Sequence, residues 1–196
     1  MKTKFDRVPI EVSARHVHLS RRDFTKLFGR GNLTVNRNIS QPGQFVAQQT
    51  VDLLGPKGHF THVAIVGPWR SASQVELTRT DGYQLGIQPP LALSGERKRL
   101  PGRLIIRGPR GKISLSRGVI VAKRHLHISP QDAQRLGLKH LAKISVRVAG
   151  ERGAVFENVV VRSRPGLDKM SFMLDTDEAN AAGVRSGDRG IIVKTR

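Results

Sequence analysis

The chain has 196 residues, carries 34 Lys and Arg against 15 Asp and Glu for a formal net charge of +19, and contains no cysteine. Its length suits one large domain or two small ones with a real core, and the missing cysteines exclude disulfides and thiolate metal sites, so any zinc would be held by His and carboxylate. No apolar run approaches the roughly 20 residues of a membrane span, and M-K-T-K-F-D-R-V-P lacks the apolar stretch of a secretory signal, so a cytoplasmic protein is expected.

Along the chain, an apolar strand leads into R-H-V-H-L at 15–19 and then into a helix over 21–28, with Ser20 as its cap, Asp23 at the capping-box position and Gly29 closing it. Short β-type runs follow at 63–66, 104–106 and 119–121. G-P-K-G at 55–58 and G-P-R-G at 108–111 each separate two apolar runs and read as hairpin turns. A phosphate-cradling loop is the other reading of glycines beside a lysine, but no strand-G-x-x-x-x-G-K-[ST]-helix pattern is present. R-H-L-H-I at 124–128 precedes a second helix over 130–136, with Ser129 as cap, Pro130 in its first turn and Gly137 closing it. Strand-like runs at 144–148 and 191–193 flank a third helix, which begins at Asp175 or Thr176 with an acidic first turn and stops at Gly183.

The first two helical segments are copies of one unit. R-H-V-H-L-S-R-R-D-F-T-K-L-F-G at 15–29 matches R-H-L-H-I-S-P-Q-D-A-Q-R-L-G at 124–137, and A-A-G-V-R-S-G-D-R-G-I-I-V at 181–193 echoes R-L-G-L-K-H-L-A-K-I-S-V at 135–146. In the last pair Gly187 falls where the other copy has Leu141. So little helix in a duplicated, strand-rich chain predicts a mainly β fold of two small β-barrels with short α-helical caps, since barrels remove exposed strand edges.

In a strand, residues i and i+2 face one side, so His16 and His18 project together, as do His125 and His127. Each pair is a two-imidazole grip on one metal; a pair of core or surface histidines is the plainer reading. Repetition at one point of a duplicated unit favours a shared site between the halves. Glu76, in S-Q-V-E-L-T, is a candidate carboxylate ligand; alone it would read as a solvent-facing strand residue. His59, His62 and His140 have no such context and read as surface residues.

Positive charge is densest at 97–124, which holds ten Lys or Arg and no acid. A nucleic-acid surface, a pocket for a small polyanion such as a phosphorylated cofactor or acyl phosphate, and a solvated basic face all fit that run. Aromatic content of 5% and the lack of any helix-turn-helix or zinc-finger pattern argue against nucleic acid.

V-P-I-E-V-S-A-R-H-V-H-L-S at 8–20, I-S-Q-P-G-Q-F at 39–45, V-G-P-W-R at 66–70, Q-V-E-L-T-R-T-D at 74–81, G-V-I-V-A-K-R-H-L-H-I-S-P at 118–130 and D-T-D-E-A-N-A at 175–181 resemble, in order and across almost the whole chain, the PduL-type phosphate propanoyltransferases. These are the phosphotransacylases of bacterial microcompartments. The resemblance implies two β-barrels, one over 31–117 and another over 118–196 completed by the N-terminal segment 1–30. It implies exchange of acyl-CoA (propanoyl- or acetyl-CoA) and phosphate for acyl phosphate and CoA. It also implies a two-zinc site, with His16 and His18 as ligands of the metal near the CoA sulfur, Glu76, His125 and His127 as ligands of the second, and Arg70 holding phosphate. CoA, acyl-CoA and phosphate are then the expected partners, with a homodimer as the default assembly and a microcompartment as an alternative location to the open cytoplasm.

Just before D-T-D-E the family pattern places a histidine that completes the second zinc site, where this chain has Met173. A thioether is a soft, neutral ligand poorly matched to Zn(II), so the second metal is expected to bind more weakly. The competing expectation is a non-catalytic relative that keeps the fold and binds CoA or a microcompartment partner.

Overall fold

The computed structural model describes residues 7–193, so most of the charged N-terminal stretch read as free of a secretory signal lies outside the described residues. In chain order the elements are β1 (Arg7–Ser13), β2 (His16–His18), α1 (Arg21–Phe28), β3 (Val35–Asn38), β4 (Phe45–Leu54), β5 (His59–Gly67), β6 (Gln74–Leu77), α2 (Arg79–Leu85), β7 (Leu91–Ala92) and β8 (Arg99–Arg107). They continue with β9 (Lys112–Arg117), β10 (Val119–Ala122), β11 (His125–His127), α3 (Pro130–Leu136), β12 (Lys143–Val148), β13 (Ala154–Arg162), β14 (Ser171–Asp175), α4 (Thr176–Ala182) and β15 (Arg189–Val193). Among the described residues, no helix is long and apolar enough to cross a membrane.

The protein is mainly β and divides into two compact units. One consists of the segment ending at Ser13 and the chain from Lys123 onward; the other spans Ala14–Ala122. The first is a closed barrel in the order β1-β14-β11-β13-β12-β15, filled by Val8, Ile10, Leu126, Val146, Val161 and Phe172. The second is a nine-stranded sheet in the order β7-β10-β6-β2-β5-β4-β8-β9, with β3 also on β4, and its core includes Val17, Leu53, Ile65, Val75, Leu104 and Ile106.

These boundaries differ from those expected. Residues 1–30 do not all complete the C-terminal barrel: β1 does, pairing with β14 and β15, whereas β2 pairs with β5 and β6 and takes α1 into the Ala14–Ala122 unit. Conversely β10, expected to open the second barrel, pairs with β6 and β7 of the other unit. Each repeat thus gives its leading strand to one unit and its His-x-His strand to the other.

Local chemistry explains the helices. The side chains of Ser20, Ser129 and Asp175 accept the N–H of the residue three positions on, and Asp175 forms a full capping box with Glu178. A fourth helix, α2, went unread because it is short and carries Gly82; its signal was the Thr78/Asp81 capping box and Gly86 in the left-handed region at its end. Both G-P-x-G segments are hairpin turns, the first glycine's N–H donating to the last glycine's oxygen at 2.9 Å. Each also seats on a helix end: Lys57 N–H donates to Leu85 O and Arg110 N–H to Leu27 O. A Cβ at Gly55 or Gly108 would lie 2.1 or 2.6 Å from those carbonyl oxygens, so the close approach requires glycine there.

The turns before β12 and β15 repeat one another. Leu141 N–H donates to Val161 O as Gly187 N–H donates to Ile10 O, and both residues have positive φ, 65° and 99°. Leu141 therefore occupies a conformation that favours glycine, and its side chain is 56% exposed. Leu141→Gly is expected to raise stability by about 0.5–1 kcal/mol, the relief of left-handed strain outweighing the added chain entropy. The check is a higher urea midpoint at unchanged m.

Candidate metal-binding active site

β2 runs between β5 and β6, with His16 opposite Glu76 and His18 opposite Gln74. Directly opposed residues of an antiparallel pair share a face, so both histidines and Glu76 project together. β11 is placed the same way between β13 and β14, with His125 opposite Met173 and His127 opposite Ser171. Met173 is thus the register counterpart of Glu76. It shares its face with Ser171, whose hydroxyl donates to the Met173 sulfur at 3.2 Å.

Every paired imidazole is oriented by its Nδ1. His16 donates to Ala14 O (2.9 Å), His18 to Val66 O (2.9 Å), His125 to Lys123 O (2.8 Å) and His127 to Asp168 Oδ1 (2.6 Å). A carbonyl or carboxylate only accepts, so Nδ1 carries the hydrogen and Nε2 presents its lone pair. The Nε2 atoms then converge at 3.2 Å in the first pair and 3.0 Å in the second. Two lone pairs so close repel unless a proton or a cation lies between them.

Glu76, which the resemblance grouped with His125 and His127, stands beside His16 and His18. Its Oε2 is 3.7 Å from His16 Nε2 and its Oε1 3.7 Å from His18 Nε2. Ligand atoms of the three lie within 4.8 Å of one another, a set of two imidazole nitrogens and a carboxylate oxygen that could hold a metal ion. Arg70 reaches the edge of this group: its Nη1 is 3.9 Å from Glu76 Oε1 and donates to Gln74 Oε1 (2.8 Å) and Ser94 Oγ (3.0 Å). Its backbone N–H donates to Leu19 O, and the adjacent Trp69 packs edge-on against Phe24 of α1, which fixes the G-P-W-R turn.

The arginine that precedes each His-x-His has a role the sequence reading did not assign. Arg15 binds Asp81 Oδ1 through Nη2 (2.7 Å) and Nε (2.8 Å), and Arg124 Nε lies 2.7 Å from Glu178 Oε1. Asp81 and Glu178 are the capping-box acids of α2 and α4, so each arginine ties a histidine strand to the helix that follows the opposing strand. Each guanidinium also covers a phenylalanine, Phe60 at 4.0 Å and Phe156 at 5.2 Å.

His59, His62 and His140 are exposed, and His140 Nδ1 accepts the Ser163 N–H. Asp168, from the loop between β13 and β14, was not singled out in the sequence. Its side chain is wholly buried against His127 and Arg164, and nothing in L-D-K-M distinguishes it from a loop acid.

Burial dominates the titration of His18 and His127. It pushes His18 well below its usual range, with His16 and Arg70 adding to the effect, and lowers His127 to about 4 despite its bond to Asp168. Burial works to raise Asp168, but Arg164 and His127 outweigh it and hold the carboxyl below its ordinary value. One imidazole in each pair, His18 and His127, therefore favours its neutral form, the form that binds metals.

Fold and site together define a duplicated β protein with His-x-His strands and a histidine–carboxylate group suited to a metal ion. A family model described as phosphate propanoyltransferase matches residues 9–185. A phosphate propanoyltransferase of Thermotoga maritima is 45% identical over 187 residues, covering 94% of this chain and 88% of that protein. That of Escherichia fergusonii is 46% identical over 177 residues (90% and 83%), and that of Enterococcus faecalis 45% over 187 (94% and 87%). The chain belongs to the phosphate propanoyltransferase family and is an acyltransferase.

Two outcomes are expected. In the metal-free protein His127 stays neutral to about pH 4 when folded but protonates near pH 6.5 when unfolded. The unfolded state binds more protons between those values, so this contribution is complete above about pH 6.5 and is lost as pH falls toward 4. Burial raises Asp175 and Glu178, which act in the opposite sense at the acidic end of that window, so the test is the difference from His127→Gln: urea midpoints of the parent should drop more steeply below about pH 6.5. Separately, Arg124→Met is expected to cost about 1–3 kcal/mol by stranding Glu178, with Arg15→Met doing the same to buried Asp81. Chemical denaturation measures both.

Proposed function

We propose that the protein interconverts an acyl-CoA and phosphate with acyl phosphate and CoA, with propanoyl- and acetyl-CoA as the expected substrates. The observation that carries this reading is the convergence of His16, His18 and Glu76 with Arg70 at their edge, in a chain of this family.

The donor set fits zinc. His16, His18 and Glu76 would hold one ion, and His125 and His127 contribute two imidazoles toward a second. The chemistry zinc supplies when bound is Lewis-acid polarisation of a carbonyl oxygen and stabilisation of a thiolate. The chain's own residues do the positioning. Arg70 presents a planar fork that matches phosphate, and Gln74 and Ser94 hold that fork in place. A phosphate oriented there attacks the thioester carbon, the C–O bond forms as the C–S bond breaks, and CoA leaves as its thiolate. Backbone carbonyls of Ala14 and Val66 hold the Nδ1–H groups of His16 and His18, which orients both rings with Nε2 toward Glu76. The +19 charge raises the local concentration of phosphate-bearing substrates.

A second reading rests on Met173. With a thioether where the other unit has Glu76, the His125–His127 pair holds metal less firmly, and a relative that binds CoA without turnover is the alternative. Elemental analysis beside an assay of CoA release separates the two: metal with turnover supports the enzyme, no metal and no turnover the binding protein.

His16→Ala and His125→Ala are each expected to lower turnover by roughly 100-fold or more while the protein stays folded, the scale of several kcal/mol of lost charge stabilisation. Full activity in both variants would defeat the metal assignment. Met173→His is expected to raise metal content and activity; an unchanged variant would show that the thioether is not what limits the second pair.

A further inference from the structure

Three of the four paired imidazoles are held by backbone carbonyls, and one is not. His127 donates its Nδ1–H to a side chain, Asp168 Oδ1, at 2.6 Å, the shortest of the four bonds. Asp168 is wholly buried at its carboxylate and is itself fixed by Arg164, whose Nε reaches Oδ2 at 3.0 Å and whose Nη2 reaches Oδ1 at 2.8 Å. The corresponding position in the other unit, His18, uses Val66 O instead. The carboxylate therefore appears behind the histidine in the one unit where the residue opposite the pair, Met173, brings no charge.

We infer that Asp168, fixed by Arg164, is a positioning residue that locks His127 as its Nδ1–H tautomer and strengthens its Nε2 as a metal donor, supporting a pair that lacks a carboxylate opposite it. This rests on the reading of His125 and His127 as metal ligands. A carboxylate acceptor does more than a carbonyl: it draws the Nδ1 proton toward itself and raises electron density on the ring, so Nε2 binds a cation more strongly. Arg164 cancels part of the buried charge and fixes both oxygens, so Asp168 cannot rotate away from the ring. The competing account is that Asp168 and Arg164 simply staple the loop between β13 and β14.

Asp168→Asn separates the two accounts because its shape is retained. An amide has one acceptor oxygen where Arg164 and His127 together use two, so its NH2 group faces either Arg164 or the ring, and in the second case it favours the wrong tautomer. In metal-free protein, long-range ¹⁵N–¹H spectra of the imidazoles, with His127→Gln for assignment, should show parent His127 as Nδ1–H and the variant as a mixture, with His18 unchanged. Zinc titration against a chromophoric chelator should show the second equivalent weakened roughly 10–100-fold and the first unmoved. Arg164→Gln, which keeps the carboxylate, should weaken the second equivalent less than Asp168→Asn does. An Asp168→Asn protein that melts earlier but keeps both the His127 tautomer and both zinc affinities overturns the inference and leaves Asp168 as a loop staple. Parent protein that takes up zinc at only one pair overturns instead the reading of His125 and His127 as ligands, and the inference with it.

Discussion

Directly opposed residues on antiparallel strands have their Cβ atoms about 4.5–5.5 Å apart, and both units are organised around that spacing. A three-residue strand is too short to hold itself in register. β2 and β11 are each clamped between a parallel and an antiparallel neighbour, and the arginine just before each strand is tied to a helix N-terminus. A slip of one residue would turn both histidines of a pair away from the opposing ligand position. The arginines, the capping boxes and the sandwiching strands are three separate guards against that slip.

Much of this was legible in the sequence. Helix caps at Ser20, Ser129 and Asp175 are local hydrogen-bond chemistry, so α1 and α3 could be read to the residue and the start of α4 to one of two positions. The G-P-x-G turns were equally local, although their docking on Leu85 and Leu27 was not. Unit boundaries were misread at β2 with α1 and at β10, because neighbouring strands of one repeat were kept together and only pairing reveals which sheet each joins. At the site, the histidine pairs announced themselves by repetition. The role of Arg15 and Arg124 did not, since their partners Asp81 and Glu178 lie far along the chain and become neighbours only through the register of the strands between. Asp168 left no trace at all: a lone acid in a loop has no period, no repeat partner and no fixed distance from its histidine.

Duplication gave the chain two copies of one scaffold, and the copies have diverged in donor chemistry while keeping geometry. His16, His18 and Glu76 form a hard, charged set edged by Arg70; His125 and His127 face a soft, neutral sulfur and lean on a carboxylate behind the ring. Imidazole spacing differs by only 0.2 Å between the pairs. Such divergence is available because the backbone, through strand pairing and arginine clamps, sets where the imidazoles point, leaving the opposing residue open to change without loss of fold.

The exchange of leading strands has a further consequence for the chain as a covalent object. Cut between Ala122 and Lys123, the protein would yield one fragment with the whole nine-stranded sheet and one with an opened barrel. The first would keep β2 to β10 together and carry β1 away from the barrel it closes, and the second would hold β11 to β15 with a gap between β14 and β15. The second fragment would hold a gap that only β1, on the first, can fill. The C-terminal half is thus not a heritable module on its own, and a recombination event that moves it without β1 delivers an open edge to its new host.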